Sequence, residues 1–371
     1  MKTVLAIETS CDDTSVAVVT ETGFVRHVIS ANQNKAHEIF GGIVPEIASR
    51  NHTHHLLPLL DTCLRNAGVT LEDIDGMAVT SCPGLIGSLM VGVVTVKSLA
   101  LWTGKPFIGI NHLEGHLLAP FLSDPDYQPP TAFGYPYVAL AISGGHTSLY
   151  RVDGIGQYQV LGATIDDAAG EAFDKFGKMV GFGFPGGVRV DQQARFGRSD
   201  RFNFVRAMMH ESHLNFSFSG MKAGAQRVVQ NLTAIEKEDL AGDLAHPVPR
   251  TGVLADLCAG FQESVVDVLL DRLARAVAQH GVNRAVLTGG VSANSSLRSR
   301  AAAWGAREGV QVVVPPIRYC TDNAAMIGFA GILRMKRGEF SELTLGPRAR
   351  ANLGPAPLPE NLPEWLRRAK S

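Results

Sequence analysis

Apolar and polar positions change over in short blocks from the first residues onward. The runs "VLAIET", "SVAVVT" and "FVRHVIS" are bounded by "SCDDT" and "ETG", which predicts strands joined by tight turns as an antiparallel meander. From about Ala36 to Asn66 the spacing becomes helical. "DGMAVTS" then predicts a buried strand, "CPGLIG" a turn, "SLMVGVVTVKSLALW" a helix and "PFIGI" a further strand feeding a helix at "HLEGH". After the proline-rich connection "SDPDYQPPTAFGYP" at 123–136 the pattern restarts. "VALAISGGHTSLYRV" from Val138 echoes "VLAIETSCDDTSVAV" from Val4 as strand, turn, strand. "RAVLTGGVSANSSLRSR" from Arg284 echoes "GMAVTSCPGLIGSLM" from Gly76 as strand, small-residue turn, helix. The repetition predicts an internal duplication, with two similar lobes whose turns face a common cleft.

Composition supports two lobes, since 371 residues at 45% hydrophobic exceed what one ordinary domain needs for its core. The 39 glycines concentrate the chemistry at turns. "SGGHT", "FPGG" and "TGGVSANSS" fall at strand ends or helix starts, where unpaired backbone amides bind phosphate or carboxylate groups. Five scattered cysteines without C-x-x-C spacing argue against a disulfide framework and a cysteine zinc site, and fit a reducing compartment. No basic leader precedes the first strand, and Gly92, Lys97 and Gly289 interrupt the longest apolar stretches, so a cytoplasmic protein with no membrane partner is expected. A net charge of −1 gives no global attraction to nucleic acid, so any such binding must be local.

"HLEGH" places His112 and His116 four apart with Glu114 between them. A metalloprotease helix needs its glutamate directly after the first histidine, and here Leu113 holds that place. At about 100° per residue, Glu114 falls roughly 200° from either histidine. The histidines form a pincer without the protease base. "HTHH" at His52, His54 and His55 reads as a solvated helix face rather than a metal site. Arg195, Arg198, Arg201 and Arg206 form a basic run suited either to an RNA backbone or to plain solvation.

"LAIETSCDDTSVAV", "GGIVPEIASRNH", "PGLIGSLMVG", "NHLEGHLLAP", "SGGHTSLY", "DDAAGEAFDKFGK", "PGG", "FSFSGMK", "TGGVSANSSLR" and "CTDNAAMIG" follow one another over roughly residues 3 to 335. In this order they resemble the TsaD family, the tRNA N6-adenosine threonylcarbamoyltransferases. The resemblance implies an α/β, actin-like and Hsp70-like (ASKHA) fold of two duplicated RNase H-like lobes around a central cleft. The implied lobes are 1–122, completed by a C-terminal helix at about 320–340, and 137–318, followed by a proline-rich tail at 341–371. The implied reaction moves threonylcarbamoyl from threonylcarbamoyl-AMP to the adenosine beside the anticodon in tRNAs reading codons that begin with A.

By the same resemblance His112, His116 and Asp322 look like ligands of one Fe(II) per subunit. Two imidazoles and a carboxylate suit Zn(II) equally. Ala141, Ile142, Ser143, Gly144 and Gly145 are expected along the acyl-adenylate phosphates, Asp174 and Asp191 at ribose hydroxyls, Gly187 against the nucleotide, and Asn294 at adenine or ribose. Val188 stands where family members generally have proline. Asp12 is expected either to orient the amine and accept its proton or to stabilise an Asx turn. His146 is open between a ligand-side group and a structural donor. Bacterial members imply a paralogous actin-like subunit (TsaB) and a P-loop ATPase subunit (TsaE) as partners. A non-catalytic paralogue should lack the ligands present here, and an ATPase of the same fold gives no reason for the histidine pair.

Overall fold

The computed structural model describes residues 2–245 and 248–353. The first lobe opens with strands β1 (Thr3–Glu8), β2 (Thr14–Thr20) and β3 (Val25–Ala31), then helices α1 (Asn34–Glu38) and α2 (Pro45–Ala67). It continues with β4 (Gly76–Cys82), α3 (Ile86–Thr103), β5 (Phe107–Asn111) and α4 (His112–Leu118). The second lobe comprises β6 (Tyr137–Ile142), β7 (Thr147–Gly154) and β8 (Gln157–Ala163), then α5 (Ala169–Met179), α6 (Gly186–Ala194), α7 (Ser219–Gln230), α8 (Ala234–Leu244) and α9 (Val253–His280). It ends with β9 (Arg284–Thr288), α10 (Ser295–Glu308), β10 (Gln311–Val313) and α11 (Ile317–Cys320), after which α12 (Ala324–Met335) returns to the first lobe.

The two sheets have one topology. Their orders are β3-β2-β1-β4-β5 and β10-β9-β6-β7-β8, so β6 takes the place of β1 and β9 that of β4. In each, the first three strands pair antiparallel and the later two add in parallel. The duplication expected from the strand-turn-strand echo is therefore a duplication of sheet topology.

Side-chain alternation distributes each sheet between two layers. In β1, Leu5 and Ile7 face α2 and α3, while Val4 and Ala6 face α12. In β6, Val138, Leu140 and Ile142 face the helical layer built on α5 and α9, while Tyr137, Ala139 and Ala141 face Leu113 and Leu117 of α4. Thus α4 and α12 lie between the sheets. Their close approach uses glycines, since a Cβ on Gly331 of α12 would lie 2.5 Å from that of Ala78, and one on Gly115 of α4 would lie 2.9 Å from Met326 Cγ and Ile327 Cδ1 of α12.

The helical region read from about Ala36 to Asn66 consists of two helices. Pro45 at the first turn of α2 forces extended backbone on Val44 (φ −104°, ψ 112°), so the chain cannot run helically through the Gly41-Gly42 segment. Helix α3 is, among the described residues, the one helix long and apolar enough to cross a bilayer, yet Leu89, Val93 and Val96 pack in the core beneath it. Residues 341–353, read as the start of a tail, lie along the sheet edge instead: Ser341 N–H donates to Phe107 O and Arg348 N–H to Ser81 O, and Leu353 is buried against the second sheet. The remainder of the expected tail, 354–371, lies outside the described residues, as do 246 and 247 of the insert near 241–252.

Candidate functional site

Helix α4 starts as soon as β5 ends, because the Asn111 side chain caps it by accepting the Leu113 N–H at 2.9 Å. One turn of helix separates His112 from His116, so both imidazoles leave the same face. Their Nε2 atoms are 3.1 Å apart, and Asp322 Oδ1 lies 3.3 Å from that of His112 and 3.1 Å from that of His116. Asp322 immediately precedes α12, whose start is fixed by the Asn323 side-chain cap and by Ala324 N–H donating to Ser15 Oγ of β2 at 2.9 Å. Two residues between the histidines, Glu114 and Gly115, serve this geometry. Glu114 points away and pairs with Arg334 of α12 at 2.9 Å and accepts from Tyr158 OH at 2.7 Å, while Gly115 admits α12.

The donor set fits a divalent cation. His112, His116 and Asp322 each offer a lone pair, and their ligand atoms lie within 4.8 Å of one another. Around them stand further carboxylates. Glu8, at the end of β1 and fully buried, accepts from His112 Nδ1 at 3.0 Å, from Ser10 N–H at 2.5 Å and from the Thr80 hydroxyl. This fixes the His112 proton on Nδ1 and leaves Nε2 free to coordinate. His116 has no equivalent, its Nδ1 being buried without a partner among the described residues. Burial, then the charge of Asp322, raises the carboxyls of Asp12 and Asp13, the latter to about 8. Such a surplus of negative charge is what a bound cation offsets.

Sequence reasoning missed Glu8. A carboxylate closing an otherwise apolar strand was its only signal. It also misjudged His52, which is buried rather than solvated: it bonds Thr14 Oγ1 at 2.7 Å and Cys11 O at 2.9 Å, tying α2 to the Cys11–Thr14 turn.

Across the cleft, the Ser143–His146 turn joins β6 to β7. Burial and then the charges of His112 and His116 hold the His146 imidazole below its usual range. Gly144 and Gly145 are exposed at its tip. Ala141 and Ile142, expected along the phosphates, are buried in β6, 2% and 0% exposed. The turn from β9 is held close to β6: Gly289 has φ +87°, and a Cβ there would lie 2.4 Å from Ile142 O.

Between these turns lies a cavity of about 430 Å³, lined by Gly144, Asp174, Gly187, Asp191 and Asn294 with apolar walls from Phe173, Val188 and Ile317. Asp174 Oδ1 accepts the Gly186 and Gly187 N–H groups at 2.8 and 3.2 Å, leaving Oδ2 without a protein partner among the described residues. Asp191 is fully engaged, with Ser295 on one oxygen and Arg195 on the other. The Asn294 amide is committed as well, capping α10 at Leu297 N–H and donating to Gln262 Oε1 at 2.7 Å. Val188, 59% exposed, presents its side chain to the cavity. The arginine run is neutralised: Arg195 pairs with Asp191, Arg198 with Asp200, Arg201 with Asp256 and Glu236, and Arg206 with Asp267.

A family model described as TsaD, tRNA N6-adenosine threonylcarbamoyltransferase, matches residues 25–329. Proteins bearing that description from Bdellovibrio bacteriovorus and Anaeromyxobacter dehalogenans are 57% and 47% identical, over 94% and 91% of this chain and 97% and 96% of theirs. Among solved structures, HypF of T. kodakarensis aligns over 90% of this chain and 48% of its own, with a TM-score of 0.58 at 10% identity. The (R)-2-hydroxyglutaryl-CoA dehydratase component A of Acidaminococcus fermentans aligns over 91% and 100%, with a TM-score of 0.52 at 13% identity. These last two likenesses concern the actin-like fold alone. The breadth and identity of the sequence matches, set on a duplicated two-lobed fold, show that this chain belongs to the TsaD family, the tRNA N6-adenosine threonylcarbamoyltransferases.

Proposed function

We propose that this chain transfers the threonylcarbamoyl group of threonylcarbamoyl-AMP to N6 of the adenosine 3′ of the anticodon in tRNAs reading codons that begin with A. The observation that carries the reading is the pairing, in one fold, of the His112, His116 and Asp322 cluster with a cavity walled by Gly144 of the Ser143–His146 turn and by Asp174. A nucleotide in that cavity directs its phosphate toward the ligand set. The amine nitrogen attacks the carbamoyl carbon, the bond from that carbon to the phosphate oxygen breaks, AMP leaves with the electron pair, and N6 gives up one proton.

Each role follows from the chain's own groups. Phe173, Val188 and Ile317 supply apolar walls for a purine, and the free oxygen of Asp174 suits a ribose hydroxyl. Gly144 and Gly145, exposed at the turn, offer backbone N–H groups to charge developing on the departing phosphate. Asp12, whose carboxyl is raised by burial and by Asp322, is the proposed acceptor of the amine proton. One Fe(II) per subunit is the proposed occupant of His112, His116 and Asp322, with Zn(II) matching the same donors; a cation there supplies Lewis-acid stabilisation of negative charge on oxygen.

A paralogous actin-like subunit completes the proposal, supported by exposed Ile86, Met90 and Val94 along one face of α3. The P-loop ATPase subunit rests on the family resemblance. The test is transfer of label to unmodified tRNA from threonylcarbamoyl-AMP labelled in its threonyl group, by the chain with both partners, alongside elemental analysis. Asp322→Ala is expected to retain the fold and lose both metal and transfer. Full metal occupancy in that variant overturns the ligand set, and absence of transfer by the complete wild-type assembly overturns the reaction.

A further inference from the structure

A second cavity, of about 710 Å³, opens next to the first between the α1–α2 loop of one lobe and α5 of the other. Phe40, Ile43, Lys178, Phe182 and Phe184 line it, and Asp174 contributes to the walls of both cavities. Group transfer requires two substrates to meet. One cavity suits the acyl-adenylate, and the adjoining one has a size ordinary for a ligand site. We infer that the second cavity receives the target adenosine and its neighbouring anticodon-loop nucleotide, with Phe40 stacking on a base and Lys178 facing a backbone phosphate. This rests on the transfer reading above.

The loop is built to present side chains. His37 is fully buried and its Nδ1 accepts the Val44 N–H at 3.2 Å, which clips the two ends of the loop together. Within it, Phe40 N–H donates to His37 O and Gly41 N–H to Glu38 O, both at 3.0 Å. Closed in this way, the loop nevertheless leaves Ile39 81% and Phe40 55% exposed at the cleft mouth. Single exposed apolar side chains are ordinary on a surface, whereas an aromatic held on a clipped loop over a cavity is a platform on which any base can stack.

The charges admit a phosphate-bearing occupant. Glu38 faces Arg189 at 3.6 Å, Glu171 pairs with Lys175 at 2.7 Å, and one oxygen of Asp174 is held by two backbone amides. Lys178, exposed beside Gly41, has no ion-pair partner among the described residues. The acidic lining is thus largely offset and one cation is left for a phosphate. Anticodon-loop bases are already partly unstacked, so extruding one into such a site is inexpensive.

The experiment uses the full chain with its partner subunits and an unmodified anticodon stem-loop RNA, read by fluorescence anisotropy for binding and by steady-state transfer. Phe40→Ala should weaken RNA binding and raise the KM for RNA on the order of tenfold, with the KM for threonylcarbamoyl-AMP unchanged, and Phe40→Trp should retain wild-type values. Lys178→Ala should reduce the slope of log affinity against log salt by about 0.7. RNA affinity within twofold of wild type in Phe40→Ala overturns the inference. So does a raised KM for the acyl-adenylate, which would assign the second cavity to the donor's threonyl end. If the wild type binds the stem-loop through Phe40 but transfers nothing, the reaction reading fails and the RNA site stands.

Discussion

Glu8 illustrates how a residue outside a ligand set controls it. Its carboxylate fixes the His112 proton on Nδ1, and His116 lacks any comparable support, so the site depends on one outer partner more than a symmetric pair would. Glu8→Gln keeps the size of the side chain, but its amide can present N–H to His112 and compete with the required tautomer. Metal affinity in a chelator competition should fall about 10- to 100-fold while the circular dichroism spectrum stays native. Unchanged affinity would mean that Glu8 serves only the strand end. The sequence made His112, His116 and Asp322 legible because the family motifs carry them together. Glu8 was not legible, since its role depends on a strand end and a helix start that are 104 positions apart. Asp191 and Asn294 show the reverse, with side-chain types that suit a nucleotide but hydrogen bonds already made to the start of α10.

At the scale of elements, α4 and α12 act as one unit. The Glu114–Arg334 pair and the Gly115 contact set the register of α12, and that register places Asp322 opposite the histidines. Glu114→Gln should therefore cost about 1.5–3 kcal/mol of stability, seen as a lower Tm, while transfer per folded molecule is little changed. A loss of turnover without loss of stability would restore a direct chemical role. Gly331→Ala should cost about 1–3 kcal/mol, because the added methyl meets the rigid Cβ of Ala78, and it should also weaken metal retention by shifting α12. The strands and their repetition could be read directly, as period-2 runs bounded by turn residues. The break between α1 and α2 was masked by apolar residues on both sides of Gly41 and Gly42, and α8 carries only a weak helical period.

For the whole molecule, the two lobes share a topology but not an exterior. The layer over the second sheet includes α9, which is buried along most of its length, whereas α3 over the first sheet leaves Met90 47% and Val94 53% exposed. For the proposed paralogous subunit, this asymmetry favours the first lobe as the docking face. Met90→Glu should abolish co-elution with the paralogous subunit on size-exclusion chromatography, with stability of the isolated chain within about 0.5 kcal/mol because the side chain already faces water. Co-elution of the variant with its partner would move the interface elsewhere.

The return of α12 to the first lobe has a consequence for how the molecule is made. Its buried residues complete the core against β1, β2 and β4, so the first lobe to leave the ribosome cannot finish folding until the second has been synthesised. His116 waits for Asp322 across 206 positions of chain. A nascent or truncated polypeptide therefore offers two of the three proposed ligands, His112 and His116, and the full set exists only in a chain translated through α12. Completion of the proposed site is in this way tied to completion of synthesis, and a partly built chain lacks the third donor.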